Sequence, residues 1–156
     1  MNNSIGFLNS LTSDHIAVKL EAFSWEEAVD GVGTIMVRTG LTHQAYTEAM
    51  KETLKSLGPY SVIAPGIAMP HARPEDGVIQ TGFTLITLET PVNFGSEAND
   101  PVDIVIGFAA TNKTNHVLAL KEIATYFGDL DFVERLRSAN TIEELINLID
   151  SKRDEI

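Results

Sequence analysis

The apolar run at residues 102–108 is the feature that most constrains how this chain can fold. After Asp103 it continues with Ile104, Val105 and Ile106, without alternation between apolar and polar residues. A strand with one face in water alternates, whereas a strand covered on both faces reads as a continuous apolar series. The run therefore predicts a sheet with other elements packed on both of its sides.

The rest of the chain places helices near both ends and strands in the middle. Strands are predicted at residues 16–20, 60–63, 83–88 and 102–108, with Pro91 and residues 95–101 connecting the last two. Helices are predicted from Ser24 to Gly40 and at residues 42–57, 117–127, 129–138 and 145–149. The predicted helix caps are Ser24 with Glu27, Thr114 or Asn115, Asp129 or Asp131, and Thr141 with Glu144. This order predicts an α/β protein, a three-layer α/β/α sandwich with a mixed central sheet, in a single domain spanning residues 1–156.

Composition excludes several classes of protein. The net charge is −11, from 22 acidic and 11 basic side chains, and nucleic-acid binding is not expected because phosphate contacts need clustered lysine and arginine. The absence of cysteine excludes disulfides, thiolate metal sites and cysteine nucleophiles. The sequence has neither a signal-peptide pattern nor an apolar run of about 18 residues, so a cytoplasmic location is expected.

Common catalytic motifs are also missing. The sequence contains no H-E-x-x-H, P-loop or G-x-S-x-G motif. The acidic residues Glu75, Asp76, Asp100 and Asp103 are too scattered for a glycosidase pair or a metal site. No metal, cofactor or nucleotide site is therefore expected.

A stiff segment presents one of the four histidines. Residues 63–78 read IAPGIAMPHARPEDGV, so His71 directly follows Pro70 and is closely followed by Pro74. Each proline fixes its own φ and pushes the residue before it, Met69 or Arg73, toward extended geometry. A histidine held in this way loses little entropy when it meets a reacting group, so His71 is the candidate nucleophile. The alternative is a proline-rich loop whose histidine is merely exposed.

His116 is the second candidate. It lies at the predicted start of a helix, where free backbone N–H groups and the helix dipole favour an anion, although a plain helix-start residue would have the same pattern. Arg73 is the cation nearest to His71 in the sequence, and it is either a contact for a phosphoryl group or partner carboxylate or an ordinary surface arginine. His15 and His43 lie in a polar turn and a first helical turn, and both are predicted to be solvated.

The segment around His71 resembles a known active-site signature. The residues Ala64-x-x-Ile67-Ala68-Met69-Pro70-His71-Ala72 are similar to the signature of the type-2 enzyme IIA domains. These domains belong to the fructose–mannitol family of the bacterial sugar phosphotransferase system. The resemblance extends over roughly residues 8–149. The order of GPYSVIAPGIAMPHARPEDGV, TGFTLITLETPV, NDPVDIVIGFAA and a helix opened by His116 is similar to the ascorbate-type branch.

This resemblance implies a cytoplasmic phosphocarrier with the same layered architecture. It implies that His71 accepts a phosphoryl group from the small carrier HPr, and that a cysteine of an enzyme IIB receives it. The membrane enzyme IIC would be only an indirect partner, and the chain itself would not bind the carbohydrate. The resemblance also implies that His116 lies beside His71. Met69, with Ala68 and Ala72, is expected to form an apolar docking ring around the histidine.

The sequence departs from the family pattern upstream of His71. Ser56 stands where relatives usually carry an acidic or amide residue, fifteen positions before the histidine. Where many relatives carry an arginine, this chain has only Lys51 and Lys55. These differences put in doubt an upstream guanidinium contact, but not phosphorylation of the histidine.

Two other functions remain open from the sequence. A regulatory module that reports its phosphorylation state to other proteins would use the same His71. Neighbouring genes for enzymes IIB and IIC would favour transport, and their absence would favour regulation. A hydrolase with His71 as its base is less favoured, because the sequence offers neither a second nucleophile nor a metal-ligand set.

Overall fold

The computed structural model describes residues 6–155, which form a five-stranded sheet with helices on both faces. The strands are β1 (Ile16–Leu20), β2 (Val62–Ala64), β3 (Ile67–Ala68), β4 (Gly82–Val92) and β5 (Val102–Ala109). The helices are α1 (Phe7–Ser10), α2 (Trp25–Arg38), α3 (Gln44–Leu57), α4 (Lys113–Phe127), α5 (Leu130–Ser138) and α6 (Ile142–Asp154). Short 3-10 turns lie at Ser13–His15 and Pro74–Asp76. None of the helices in residues 6–155 is long and apolar enough to cross a membrane.

The sheet is mixed, as predicted, and its order is β1-β4-β5-β3-β2. Strand β4 pairs parallel with β1 and antiparallel with β5. Strand β3 pairs parallel with β5 and antiparallel with β2. Strand β5 is therefore in the middle of the sheet, which explains why its sequence is apolar on both faces.

Two separate apolar cores lie on opposite faces of the sheet. On β5, Ile104, Ile106 and Phe108 pack into the core that contains α1, α4, α5 and α6. Val105 and Ala109 pack into the other core, beneath α2 and α3. Because successive side chains of a strand point to opposite faces, this division confirms the predicted three-layer α/β/α sandwich.

Three of the four helix caps predicted from the sequence form as expected. The Ser24 Oγ accepts a hydrogen bond from the Glu27 N–H (3.2 Å), and the Thr141 Oγ1 accepts one from the Glu144 N–H (3.1 Å). Asp129 caps α5 in the same way. These contacts satisfy N–H groups that have no partner within the helix.

The predicted cap of α4 was wrong. Neither Thr114 nor Asn115 is the cap, because the Asn112 Oδ1 accepts a hydrogen bond from the Asn115 N–H at 2.9 Å. Helix α4 therefore begins at Lys113, and His116 lies within its first turn. Asn112, Thr114 and Asn115 have similar capping preferences, so local preference alone did not distinguish among them.

The strand predictions also needed correction near the site. The strand predicted at residues 60–63 is displaced to Val62–Ala64, and it forms a hairpin with β3, which was not predicted. Pro91 is part of β4 rather than of the connection. The pairing of β4 with β5 is irregular between Thr87 and Val92, so the missing N–H of this proline interrupts no regular ladder.

Polar contacts of Arg137, in α5, hold the turn between β2 and β3 in place. The Arg137 Nη2 donates to the Pro65 carbonyl at 2.7 Å, and its Nε donates to Asp103 at 2.9 Å. Gly66 has a φ of 78° between these contacts, and a Cβ there would overlap the Arg137 guanidinium. The turn that leads into β3 is thus set by a residue of α5 as well as by glycine.

A close approach of α2 and α3 provides a test of this packing. Gly33 faces Thr47, and a Cβ at residue 33 would overlap the Thr47 side chain. We expect Gly33→Ala to lower the free energy of unfolding by about 1–3 kcal/mol, the usual range for overpacking. Urea unfolding followed by circular dichroism would measure the change.

The control is the double variant Gly33→Ala with Thr47→Ala. The Thr47 Oγ1 is buried and has no hydrogen-bond partner in the described structure, so its removal vacates space without leaving a donor unpaired. We expect the second substitution to recover much of the loss. Simple addition of the two single effects would contradict the proposed overlap.

Candidate active site

The chain leaves the sheet just before His71. Strand β3 pairs in parallel with β5, through Ile67 with Ile104 and Ala68 with Val105. The carboxyl ends of two parallel strands lie at the same edge of a sheet. His71 after β3 and the start of α4 after β5 are therefore brought to one edge.

A backbone hydrogen bond selects the tautomer of His71. The Nδ1 of His71 lies 2.9 Å from the Met69 carbonyl oxygen. A carbonyl can only accept, so Nδ1 carries the proton in the neutral imidazole. The lone pair is then on Nε2, which is the ring nitrogen available for a bond to an incoming group.

The surroundings of His71 favour its neutral form. Burial lowers the pKa of His71 below its ordinary value, and the neighbouring His116 imidazole also lowers it. The hydrogen bond to Met69 opposes these two effects without cancelling them. An imidazole that resists protonation keeps its lone pair near neutral pH, as a nucleophile requires.

His71, His116 and Phe108 form a cluster of three rings. The ring centroids of His71 and His116 are 5.2 Å apart, with planes at 65°. Phe108 is 4.9 Å from His71 and 5.2 Å from His116, and it is almost fully buried. The structure thus brings the two predicted histidines together, on an aromatic floor that the sequence pattern did not single out.

Tyr46 connects this floor to the His71 segment. Its hydroxyl donates to the Phe108 carbonyl at 2.8 Å and accepts from the Ala72 N–H at 3.0 Å. The side chain is fully buried, and burial raises the pKa of its phenol far above the ordinary value. The bridge holds the residue after His71 at a fixed distance from β5. Tyr46 lies in the first turn of α3. Nothing in the sequence pattern distinguished it as a residue that supports the site.

The expected apolar docking ring was wrong for Met69. Its side chain is only 2% exposed and packs in the core with Ile104 and Ile106. Ala68 and Ala72 are also buried. Residue 69 continues the alternation of β3, which points its side chain inward while its carbonyl reaches His71. Met69 therefore contributes a backbone acceptor rather than a contact surface.

An open cleft of about 530 Å³ lies beside the two histidines. His71 itself is partly exposed at this cleft. The apolar side chains on its rim are Leu57 and Tyr60, which are 60% and 63% exposed. His71 therefore faces an open cleft, and the C-terminal end of α3 and the loop after it supply its apolar rim.

Arg73 lines the cleft but is occupied by acidic neighbours. Its Nε and Nη2 donate to the two Asp76 carboxylate oxygens at 3.3 and 3.2 Å, and its Nη1 lies 3.9 Å from Glu75. The hydrogen bond from Arg73 lowers the pKa of Asp76 below its ordinary value. A phosphoryl group would have to compete with this carboxylate for the guanidinium.

Of the side chains of Lys51, His15, His43 and Lys113, only that of Lys113 lines the cleft. Lys51 is held by Asp30 at 2.8 Å, between α2 and α3. His15 contacts the Thr12 hydroxyl, and His43 is the N-cap residue of α3; neither lines the cleft. Lys113, which no sequence pattern indicated as functional, lines the cleft together with His71 and His116. Within residues 6–155, no group of three or more His, Cys, Asp or Glu side chains is arranged to hold a metal ion.

Residues 9–152 match the family model described as "Phosphoenolpyruvate-dependent sugar phosphotransferase system, EIIA 2". The chain belongs to this family. A similar curated protein is the ascorbate-specific PTS system EIIA component of Salmonella paratyphi A, which is 42% identical over 139 residues, 88% of this chain and 90% of that protein. The predicted family resemblance is confirmed.

Two solved structures of the family have the same fold. The mannitol-specific cryptic phosphotransferase enzyme IIA CmtB of Escherichia coli has a TM-score of 0.83 and 31% identity, over 93% of this chain and 99% of that chain. The Escherichia coli enzyme IIA for mannitol, in a complex with phosphorylated enzyme IIB, has a TM-score of 0.78 and 28% identity, over 90% of this chain and 96% of that chain. This chain is thus similar to a phosphotransferase component over nearly its whole length.

The environment of His71 predicts a specific titration. We expect its imidazole to titrate below the usual value of about 6.5, because burial disfavours the charged form. The proton is therefore bound only at lower pH, and the nucleophilic form persists down to that pH. Replacing His116 with alanine should move the midpoint upward, because one of the two effects that lower the pKa is removed.

Nitrogen-15 NMR of the histidine rings would measure both midpoints and would identify the protonated nitrogen. His43→Ala is the matched control, because it removes a histidine outside the cleft, and it should leave the His71 midpoint unchanged. A His71 midpoint at or above 6.5, or a neutral form protonated at Nε2, would contradict this account.

Proposed function

We propose that this chain is a cytoplasmic phosphocarrier of the sugar phosphotransferase system, in which residues 1–156 act as one enzyme IIA domain and His71 carries the phosphoryl group. The observation that carries the proposal is the Nδ1–H of His71 donating to Met69, with Nε2 left free beside His116. Family membership gives this arrangement its chemical meaning. Phosphoryl transfer asks the protein chiefly for position and charge stabilisation.

In the accepting step, the His71 Nε2 lone pair attacks the phosphorus of the phosphohistidine of HPr. A bond forms between Nε2 and phosphorus while the bond from phosphorus to the HPr imidazole breaks, and its electron pair returns to that imidazole. His71 keeps its proton on Nδ1 throughout, held by the Met69 carbonyl. The cleft is open, so a second imidazole can approach in line.

In the donating step, a cysteine thiolate of an enzyme IIB attacks the same phosphorus. A sulfur–phosphorus bond forms, the bond to Nε2 breaks, and its electron pair stays on His71. A related enzyme IIA from Escherichia coli forms a complex with its phosphorylated enzyme IIB, which supports an enzyme IIB as the partner. Enzyme IIC, which would move the carbohydrate across the membrane, takes part only through enzyme IIB.

His116 is proposed to stabilise the phosphoryl group on His71. The ring centroids are 5.2 Å apart, close enough for an N–H of His116 to reach a phosphoryl oxygen. Its place in the first turn of α4 adds the positive end of the helix dipole. Phe108, in contact with both rings, limits their movement relative to each other.

The curated relatives favour a role in carbohydrate uptake over a regulatory role. Proteins about 41% identical over 86–88% of this chain are named ascorbate-specific EIIA components. We therefore propose ascorbate as the transported carbohydrate, with binding left to enzyme IIC. Detection of genes for enzymes IIB and IIC beside that of this protein would agree, and their absence would favour the regulatory alternative.

His71→Ala should abolish phosphorylation by enzyme I, HPr and phosphoenolpyruvate, because the attacking lone pair is lost. The measurement is intact-protein mass spectrometry, followed by mapping of the acid-labile phosphate to the peptide that contains His71. His43→Ala is the control and should be phosphorylated to the wild-type extent. If His71→Ala were still phosphorylated to that extent, the proposed role of this residue would be wrong.

His116→Ala should slow transfer to enzyme IIB while acceptance from HPr stays measurable. Loss of one charge-assisted hydrogen bond costs about 1.5–3 kcal/mol, which corresponds to a rate loss of roughly tenfold to a hundredfold. Rapid-quench kinetics with isolated phosphorylated protein would measure the transfer step alone. An unchanged rate of transfer to enzyme IIB would mean that His116 lies beside His71 but does not stabilise the phosphoryl group.

A further inference from the structure

One cation that lines the cleft beside His71, Lys113, has no ion-pair partner among residues 6–155. We propose that Lys113 binds the phosphoryl group on His71 and is the main side-chain cation of the phosphorylated state. This inference rests on the proposed function, because it concerns the charge that appears when His71 is phosphorylated. Lys113 lines the same cleft as His71 and His116.

The position of Lys113 on α4 suits such a contact. It is the first residue of the helix and lies three positions before His116. Residues three apart are neighbours on a helix surface, so Lys113 and His116 face the same side. Lys113 forms no ion pair or side-chain hydrogen bond in the described structure, and its side chain is exposed and free to move.

The other cation at the cleft is less available. Arg73 already donates two hydrogen bonds to Asp76 and lies near Glu75. An added anion would have to displace a carboxylate that also accepts from the Arg73 backbone N–H at 2.9 Å. Lys113 can turn toward a phosphoryl oxygen without breaking any contact.

The start of α4 is more basic than the starts of α2, α5 and α6. The first turns of α2, α5 and α6 carry acidic residues, among them Glu26, Asp131 and Glu143. The first turn of α4 carries none, and its first residue is Lys113. A cation next to the positive end of a helix dipole is electrostatically unfavourable. An anion at this position relieves that repulsion, and phosphorylation of His71 provides nearly two negative charges.

The chemistry of this contact involves no bond exchange at Lys113. Its ammonium group donates a hydrogen bond to a phosphoryl oxygen and keeps all of its protons. The contact exists only while phosphorus is bound to Nε2, so it stabilises the phosphorylated state relative to the free histidine. Lys113 should therefore shift the equilibrium of transfer from phosphorylated HPr toward this protein.

The test compares Lys113→Gln with Lys121→Gln. Lys121 lies on the same helix, is exposed and does not line the cleft, so its substitution makes the same change of net charge elsewhere. Each protein is mixed with phosphorylated HPr until equilibrium, and the two phosphorylated species are quantified. For an exposed charged contact we expect Lys113→Gln to shift the equilibrium toward HPr by about threefold to tenfold. We expect Lys121→Gln to shift it by less than about twofold because of screening.

Two further measurements separate a direct contact from a structural effect. Lys113→Arg keeps the charge and should retain the wild-type equilibrium within about twofold. Phosphorus-31 NMR titration of the phosphohistidine should show a higher phosphoryl pKa in Lys113→Gln than in the wild type, because the dianion has lost a cation. Added salt should reduce the difference between wild type and Lys113→Gln.

The outcomes distinguish this inference from the proposed function. If the wild-type protein is phosphorylated on His71 but Lys113→Gln behaves like Lys121→Gln, the role of Lys113 is wrong and the phosphocarrier function stands. An unchanged phosphoryl pKa in Lys113→Gln would lead to the same conclusion. If the wild-type protein accepts no phosphoryl group from HPr, the proposed function itself fails.

Discussion

The parallel pairing of the short strand β3 with β5 is the constraint on which the rest of the site depends. Only Ile67 and Ala68 make this pairing, with Ile104 and Val105. It brings two distant parts of the chain to one sheet edge, so that His71 and His116 approach although many residues separate them. The Tyr46 hydroxyl then fixes the spacing by bridging the Ala72 N–H and the Phe108 carbonyl. The reactive imidazole is held in position in this way by backbone and core contacts.

The same arrangement sets the electrostatics of the site. Partial burial lowers the pKa of His71, and the Met69 carbonyl determines which nitrogen carries the proton in the neutral imidazole. The chain has a net charge of −11, yet His116 and Lys113 are placed in the first turn of α4 at the cleft. A site of this kind is suited to receive an anion for a limited time and to release it to the next acceptor. Strong, fully buried cationic contacts would hold the phosphoryl group too firmly for a carrier.

Many local features were predictable from the sequence because their causes lie within a few residues. Ser24, Asp129 and Thr141 cap their helices through contacts three residues away. The apolar continuity of β5 correctly indicated cover on both faces.

Errors arose where neighbouring residues had similar local preferences, as at the cap of α4. They also arose where an element was too short to have a pattern, as with the two residues of β3. Met69 was assigned to the surface because its type suits a docking contact, whereas strand alternation turned its side chain into the core.

The sequence by itself determined the layered α/β class, the stiff Pro70–His71 segment and the family, because these depend on local order along the chain. Only the tertiary structure decided that His71 and His116 share the Phe108 floor, that Tyr46 bridges their supporting segments, and that Lys113 lines the same cleft. The tautomer of His71 also depends on the tertiary structure. The Met69 carbonyl selects it, and the direction of that carbonyl follows from how the chain leaves β3. Distances between side chains far apart in sequence come from strand order and packing, and no local preference specifies them.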